Sequence, residues 1–82
     1  MEGNKMFVVN YINIDNGYYL EDIFKEFKTL EEAQKSMEED INCFLHLCVL
    51  NRIMIDSIYH NGDYVEIVIN YDDVYIWDIK EK

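Results

Sequence analysis

Residues 53–79 read IMIDSIYHNGDYVEIVINYDDVYIWDI, and this stretch decides the fold. Three runs, residues 53–60, 63–70 and 73–79, alternate apolar and polar side chains with the period of two that belongs to a β-strand. Between the first two stands Asn61-Gly62, a strong hairpin signal, and between the second and third stands Tyr71-Asp72. A three-stranded antiparallel meander follows. Two-residue loops at both turns place Ile58 opposite Val65 and put Val65, Ile67 and Ile69 on the same face as Val74 and Ile76. That face is expected to pack on a helix. Tyr59, Tyr64, Glu66, Val68, Tyr75 and Trp77 are then expected on the other face, which meets solvent or a partner because a helix covers only one side of such a sheet.

The helix lies immediately upstream. Thr29-Leu30-Glu31-Glu32 has the form of a capping box, in which the threonine hydroxyl accepts from the backbone N–H three residues on and Glu32 reaches back. From there Leu30, Ala33, Met37, Ile41, Phe44 and Cys48 recur at steps of three and four, one apolar stripe running to Asn51, a residue suited to close a helix. Glu31, Glu32, Lys35, Glu38 and Glu39 form the solvent side. Residues 44–50 are apolar around the whole circumference, more than one sheet face covers. This predicts burial against an N-terminal hairpin or a homodimer contact.

Further upstream, residues 5–14 are rich in β-branched and aromatic side chains and lead into Asp15-Asn16-Gly17, a second hairpin turn. Residues 18–27 fit a returning strand with Tyr19, Ile23 and Phe27 on one face. They also fit a helix through Leu20, Ile23, Phe24 and Phe27. Taken as a strand, they complete an α+β domain of order β-β-α-β-β-β over residues 1–82, with one long helix packed on one face of an antiparallel sheet.

The chain has 82 residues, half of them apolar, no proline and no internal repeat, which suits one domain able to bury a core. Seventeen Asp and Glu against seven Lys and Arg leave a formal charge of −10. Such a charge repels phosphate backbones and anionic membranes and attracts basic surfaces. Arg52 is the only arginine, so bidentate phosphate clamps are missing too. A direct nucleic-acid or membrane partner is therefore not expected. With no secretory leader and no apolar run of the roughly 18 residues needed to cross a bilayer, the expected location is cytoplasmic.

The chemical constellations are thin. Cys43 and Cys48 lie five apart on the helix and point roughly 140° from each other, so no disulfide joins them. Cys43-x-x-His46 has the shape of half a zinc site, but only Cys48 and His60 remain to complete it. The acids never fall in the register of a calcium loop. Ser36 and Ser57 sit outside any nucleophile elbow, and there is no glycine-rich phosphate loop. No cofactor, no metal and no catalysis are expected. What stands out is charge: Asp56, Asp63, Glu66, Asp72, Asp73 and Asp78 fall between residues 53 and 79 without one Lys or Arg. Glu31, Glu32, Glu38, Glu39 and Asp40 form a second acidic group on the helix. Acids beside Tyr64, Tyr75 and Trp77 would give charge plus anchors against a basic partner.

Glu26-Phe27-Lys28-Thr29-Leu30-Glu31-Glu32-Ala33, followed by Asn42-Cys43-Phe44-Leu45, resembles the strand-to-helix passage of small phage-encoded anti-CRISPR proteins. The resemblance covers about a quarter of the chain. It implies a stoichiometric inhibitor and fixes neither target nor contacts; joined to the acidic meander, it leads to the expectation of an anti-CRISPR protein in the host cytoplasm that binds the basic nucleic-acid channel of an effector such as a Cas nuclease. The expected contacts are Asp56, Asp63, Tyr64, Glu66, Asp72, Asp73, Tyr75, Trp77 and Asp78. The alternative is a small acidic interaction domain, homodimeric through residues 44–50, with no role in defence.

Overall fold

The computed structural model describes residues 5–82, in which six elements follow one another. They are β1 (Phe7–Asp15), β2 (Tyr18–Phe27), α1 (Leu30–Leu50), β3 (Ile55–Asn61), β4 (Tyr64–Ile69) and β5 (Asp73–Glu81). All five strands join one sheet in the order β2-β1-β5-β4-β3, every neighbour antiparallel. The helix packs on one face. This is the α+β order that the sequence predicts.

The β1–β2 turn is Asn16-Gly17, both left-handed at φ 52 and 84, the pair of conformations that a two-residue type I′ loop requires. Residues 18–27 are extended, because β1 offers ladder partners along their whole length. A bulge leaves Leu20 unpaired between Asn13↔Glu21 and Ile14↔Tyr19. The extra residue carries Tyr19 to the face opposite Ile23 and Phe27, with which simple alternation had grouped it.

Helix α1 starts where the capping box predicts, with Thr29 extended and its hydroxyl accepting from the Glu32 N–H at 3.1 Å. It ends in a Schellman motif. The Ile53 N–H donates to the Cys48 carbonyl and the Arg52 N–H to that of Val49, while Asn51 caps from its side chain onto the Leu47 carbonyl at 2.8 Å. Arg52 holds the left-handed position at φ 56, where glycine is usual. Of the predicted stripe, Ala33, Met37 and Cys48 are buried, Ile41 and Phe44 half-buried, and Leu30 at the helix start is exposed.

In the meander both loops differ from expectation, with unequal consequences. The β3–β4 loop is Gly62-Asp63, with Gly62 at φ 60, so Ile58 pairs with Ile67 and His60 with Val65. Each strand slides by one residue and the faces survive. The β4–β5 loop has three residues, Asn70-Tyr71-Asp72, with Asn70 and Tyr71 left-handed. One added residue exchanges the two faces of β5. Val65 therefore pairs with Trp77 and Ile67 with Tyr75. Trp77, 2% exposed, joins Val9, Ala33, Met37, Val65, Ile67 and Ile69 in the core, with Phe44 packed on both aromatics at ring distances of 4.4 Å (Tyr75) and 5.5 Å (Trp77). Val74 and Ile76 lie on the uncovered face instead. The physical reason is area: an aromatic ring buries 150–250 Å² where a valine or isoleucine buries less, and the helix supplies Phe44 to meet it.

Candidate functional site

Two surfaces follow from that exchange. On the uncovered face the ladder places Ile12 beside Ile76, Ile14 beside Val74, and Val74 beside Val68. These five β-branched side chains are half-buried by one another and by no second layer. Tyr19 and Phe24 flank them on β2, and Tyr59 and Tyr64 flank them across β3 and β4. The last two rings meet edge to face at 6.0 Å. Asp22, Glu26, Glu66 and Asp78 stand around this apolar centre. An apolar middle with an aromatic and charged border is the ordinary anatomy of a protein interface.

The charges are unevenly answered. Glu26 pairs with Lys82 at 2.6 Å and Asp78 with Lys80 at 3.9 Å, so one corner is neutralised. Asp22 and Glu66 have no cation within ion-pair distance among the described residues. The Glu66 carboxylate instead accepts from the Tyr64 hydroxyl at 2.8 Å, and that bond is the first cause of the raised Tyr64 phenol pKa.

The nine predicted contact residues are dispersed. Tyr64, Glu66 and Asp78 share the uncovered face. Asp56 and Asp72 gather at one end of the sheet beside Asp15, whose cross-strand partner is Asp73. Asp56 is the bulged residue of β3 and accepts from the Tyr71 backbone N–H, while the Asp72 carbonyl accepts from Asn16. Asp63 lies at the other end, where it accepts from Gln34 at 3.1 Å. Tyr75 and Trp77 face the helix, so two of the three expected anchors pack in or against the core and only Tyr64 stands on the open face. Asp73 is structural as well: it accepts from the buried Asn13 amide at 2.9 Å and from the Tyr75 hydroxyl at 3.1 Å. Burial first, then that hydrogen bond, push the Tyr75 phenol up to about 12.

Sequence reasoning missed Ile12, Ile14, Phe24, Val74 and Ile76 on the open face. Their signal was β1 itself, where Val8, Ile12 and Ile14 alternate with Val9 and Tyr11, so both faces of a central strand are apolar. That is the mark of a strand meant to be covered twice.

On the helix side, two grooves run beside α1. One of about 400 Å³ lies toward β3 and β4 and is lined by Met37, Ile41, Leu45, Ile58, Val65 and Ile67, with Glu38, His60 and Asp63 at its rim. His60 donates from Nε2 to the Gly62 carbonyl at 2.9 Å, and the lining holds no Ser, Cys, Thr or Lys. The other, about 310 Å³, lies toward β1 and β2 and includes Cys43 and the Lys25–Asp40 pair at 3.4 Å. Among the described residues no three His, Cys, Asp or Glu side chains are placed to hold a metal ion, and no helix is long and apolar enough to cross a membrane. No protein-family model, curated protein or solved structure matches the chain.

Proposed function

We propose that this protein is a stoichiometric, non-catalytic binding module whose uncovered sheet face docks on a basic surface of a partner protein. The observation that carries the reading is the apolar strip Ile12, Ile14, Val68, Val74 and Ile76, left without a second layer and bordered by Asp22 and Glu66, which have no cation near them among the described residues. The apolar strip supplies affinity on contact, and the charge of −10 steers a cationic surface toward it. In its specific form the partner is a nucleic-acid-binding effector, and the module is an anti-defence inhibitor of the anti-CRISPR kind that occupies the effector's basic channel. Support for that form is the acidic surface and the resemblance around Thr29.

The test is competition. The protein is mixed with a Cas effector preloaded with labelled DNA or RNA, and release is followed by anisotropy. Release is expected from the wild type, weakened by rising salt as exposed charges are screened. Ile76→Glu and the double reversal Asp22→Lys with Glu66→Lys should abolish it. Glu38→Lys with Glu39→Lys on the helix should not. An effector that keeps its nucleic acid rejects the inhibitor form. A panel of basic proteins bound equally by wild type and Ile76→Glu rejects the sheet face as the contact.

A further inference from the structure

Strand β3 is one edge of the sheet, with β4 on one side and no strand on the other. The alternation of the ladder decides which of its backbone groups are free. The Ile79 N–H donates to the Asp63 carbonyl, so at that end of β4 Asp63 bonds to β5 and Tyr64 turns its own N–H and C=O to Asn61 of β3. Counting back along the register, Tyr59 bonds to Glu66, whereas His60 and Ile58 fall on the pairs that exchange no bonds. Their N–H and C=O groups therefore point out from the edge. The side chains of the same two residues stand on the helix side and line the groove of about 400 Å³.

That groove is open because α1 lies over β1, β2 and β5. Val65 and Ile67 are its floor, Met37, Ile41 and Leu45 its wall, and Ile58, 55% exposed, its lip. Gln34 holds Asp63 at one end and Glu38 is one turn further along the helix, so both carboxylates lie toward His60. Neither has a cation within ion-pair distance among the described residues, and the lining holds no Lys or Arg. The other edge of the sheet differs. β2 carries Lys25 and Glu26, paired to Asp40 and Lys82, and charged side chains of this kind blunt an edge. Residues 57–61 of β3 include no Lys, Arg, Asp, Glu or Pro.

We infer that the β3 edge is a second binding site, which takes an extended segment of a partner protein as a sixth strand, with an apolar side chain opposite Ile58 and a Lys or Arg opposite His60. In antiparallel pairing the basic residue comes two before the apolar one. The free backbone groups supply the pairing and the groove supplies the selection. A residue paired with Ile58 shares its face, so an apolar side chain there closes the mouth of the groove, and the cation two residues earlier meets Asp63 and Glu38. A second copy of the chain fits less well. Antiparallel pairing of two β3 strands lays the Asp56 end of one along the Asp63 end of the other, and β3 has no Lys or Arg to answer either. The site is on the helix side and does not depend on the proposed function, which uses the opposite face.

Fluorescence anisotropy of the full chain with a dye-labelled, capped octapeptide, Thr-Val-Thr-Lys-Thr-Leu-Thr-Lys, tests it. Saturable binding is expected with a dissociation constant below about 1 mM. N-methylation of the first Lys and of the Leu removes the N–H groups that donate to β3 and should weaken binding about tenfold or more, whereas N-methylation of the Thr between them should not. Ile58→Lys and Glu38→Lys should each weaken it about fivefold or more, and Ile76→Glu on the far face should leave it unchanged. Hydrogen exchange on the unaltered protein gives a second reading: the peptide should slow the Ile58 and His60 amides and leave that of Tyr59, already bonded to Glu66, as it was. No saturation up to about 1 mM overturns the inference. So does equal binding of the doubly methylated peptide, or loss of binding in Ile76→Glu, which would seat the peptide on the open face. Protection of Ile58 and His60 that grows with protein concentration in the absence of peptide would assign the edge to a second copy instead.

Discussion

Asp73 shows how one side chain can look like surface charge and be structure. Its two carboxylate oxygens take the Asn13 amide and the Tyr75 hydroxyl, which leaves it little freedom to meet a partner. Asp73→Ala leaves the buried Asn13 amide only its bond to the Val74 carbonyl and leaves the partly buried Tyr75 hydroxyl without its acceptor, and should cost about 1–2 kcal/mol in urea unfolding. Asp72→Ala beside it should cost less than about 0.5 kcal/mol, as for ordinary surface positions. Equal effects would mean that the Asn13–Asp73–Tyr75 network does not form. Tyr71 is the converse case. It is 92% exposed and sits at φ 69, a left-handed conformation that strains any residue with a Cβ. Tyr71→Gly should therefore raise stability by about 1 kcal/mol, seen as a higher Tm, with nothing lost in packing. A lower Tm would show the ring to be packed after all. The tyrosines also set an alkaline limit. Unfolded phenols ionise near pH 10. In the fold Tyr75 holds its proton to about 12, and Tyr11, raised first by burial and then by the Glu21 charge, lies above the usual phenol range. Their contribution is complete below pH 10 and disappears as pH rises from 10 through 12. Base unfolding followed by absorbance near 295 nm should coincide with the loss of circular dichroism, whereas ionisation of every tyrosine before unfolding would contradict their burial.

Among the elements, α1 was the most legible and β5 the least. The helix announces its start with Thr29, its length with a stripe at steps of three and four, and its end with Asn51. All three are local signals. β5 announces only that it alternates. Both its sets, Val74 with Ile76 and Tyr75 with Trp77, are apolar, so periodicity does not choose the inner one, and the choice falls to the length of a turn whose left-handed residues are Asn70 and Tyr71 rather than glycine. The contact residues inherited that ambiguity: Tyr64 and Glu66, on a strand whose faces survived, stand where expected, and Trp77 does not. Truncation separates the sets. Trp77→Ala should cost about 3–5 kcal/mol as a core cavity. Ile76→Ala should cost clearly less, since its face has no second layer to leave a cavity in. If the order of the two were reversed, the three-residue loop and the face assignment built on it would be wrong.

At the scale of the whole molecule, the acids are not spread evenly. Asp15, Asp56, Asp72 and Asp73 gather at one end of the sheet, where the C-terminal end of α1 carries no basic residue in its last turn. The helix dipole adds negative charge at that terminus. The fold is thus strained by its own field, and NaCl from about 50 to about 500 mM should raise Tm by a few degrees by screening it. A Tm that falls over that range would mean that the ion pairs of Lys5, Lys25, Lys80 and Lys82 outweigh the repulsion.

The strand order β2-β1-β5-β4-β3 has a consequence for how the chain is made. β1 and β5, the first and last strands, are neighbours at the centre of the sheet. As a ribosome delivers the polypeptide from its amino end, β1, β2 and α1 emerge early, but Trp77 and Ile79 are still inside the exit tunnel. Half of the core's floor is missing at that moment, and β1 shows an unpaired edge to its surroundings. The centre of the sheet closes only after residues 73–81 have cleared the tunnel. A nascent chain stalled with those residues still sheltered should be cut readily by protease, and one extended by a linker long enough to expose them should resist.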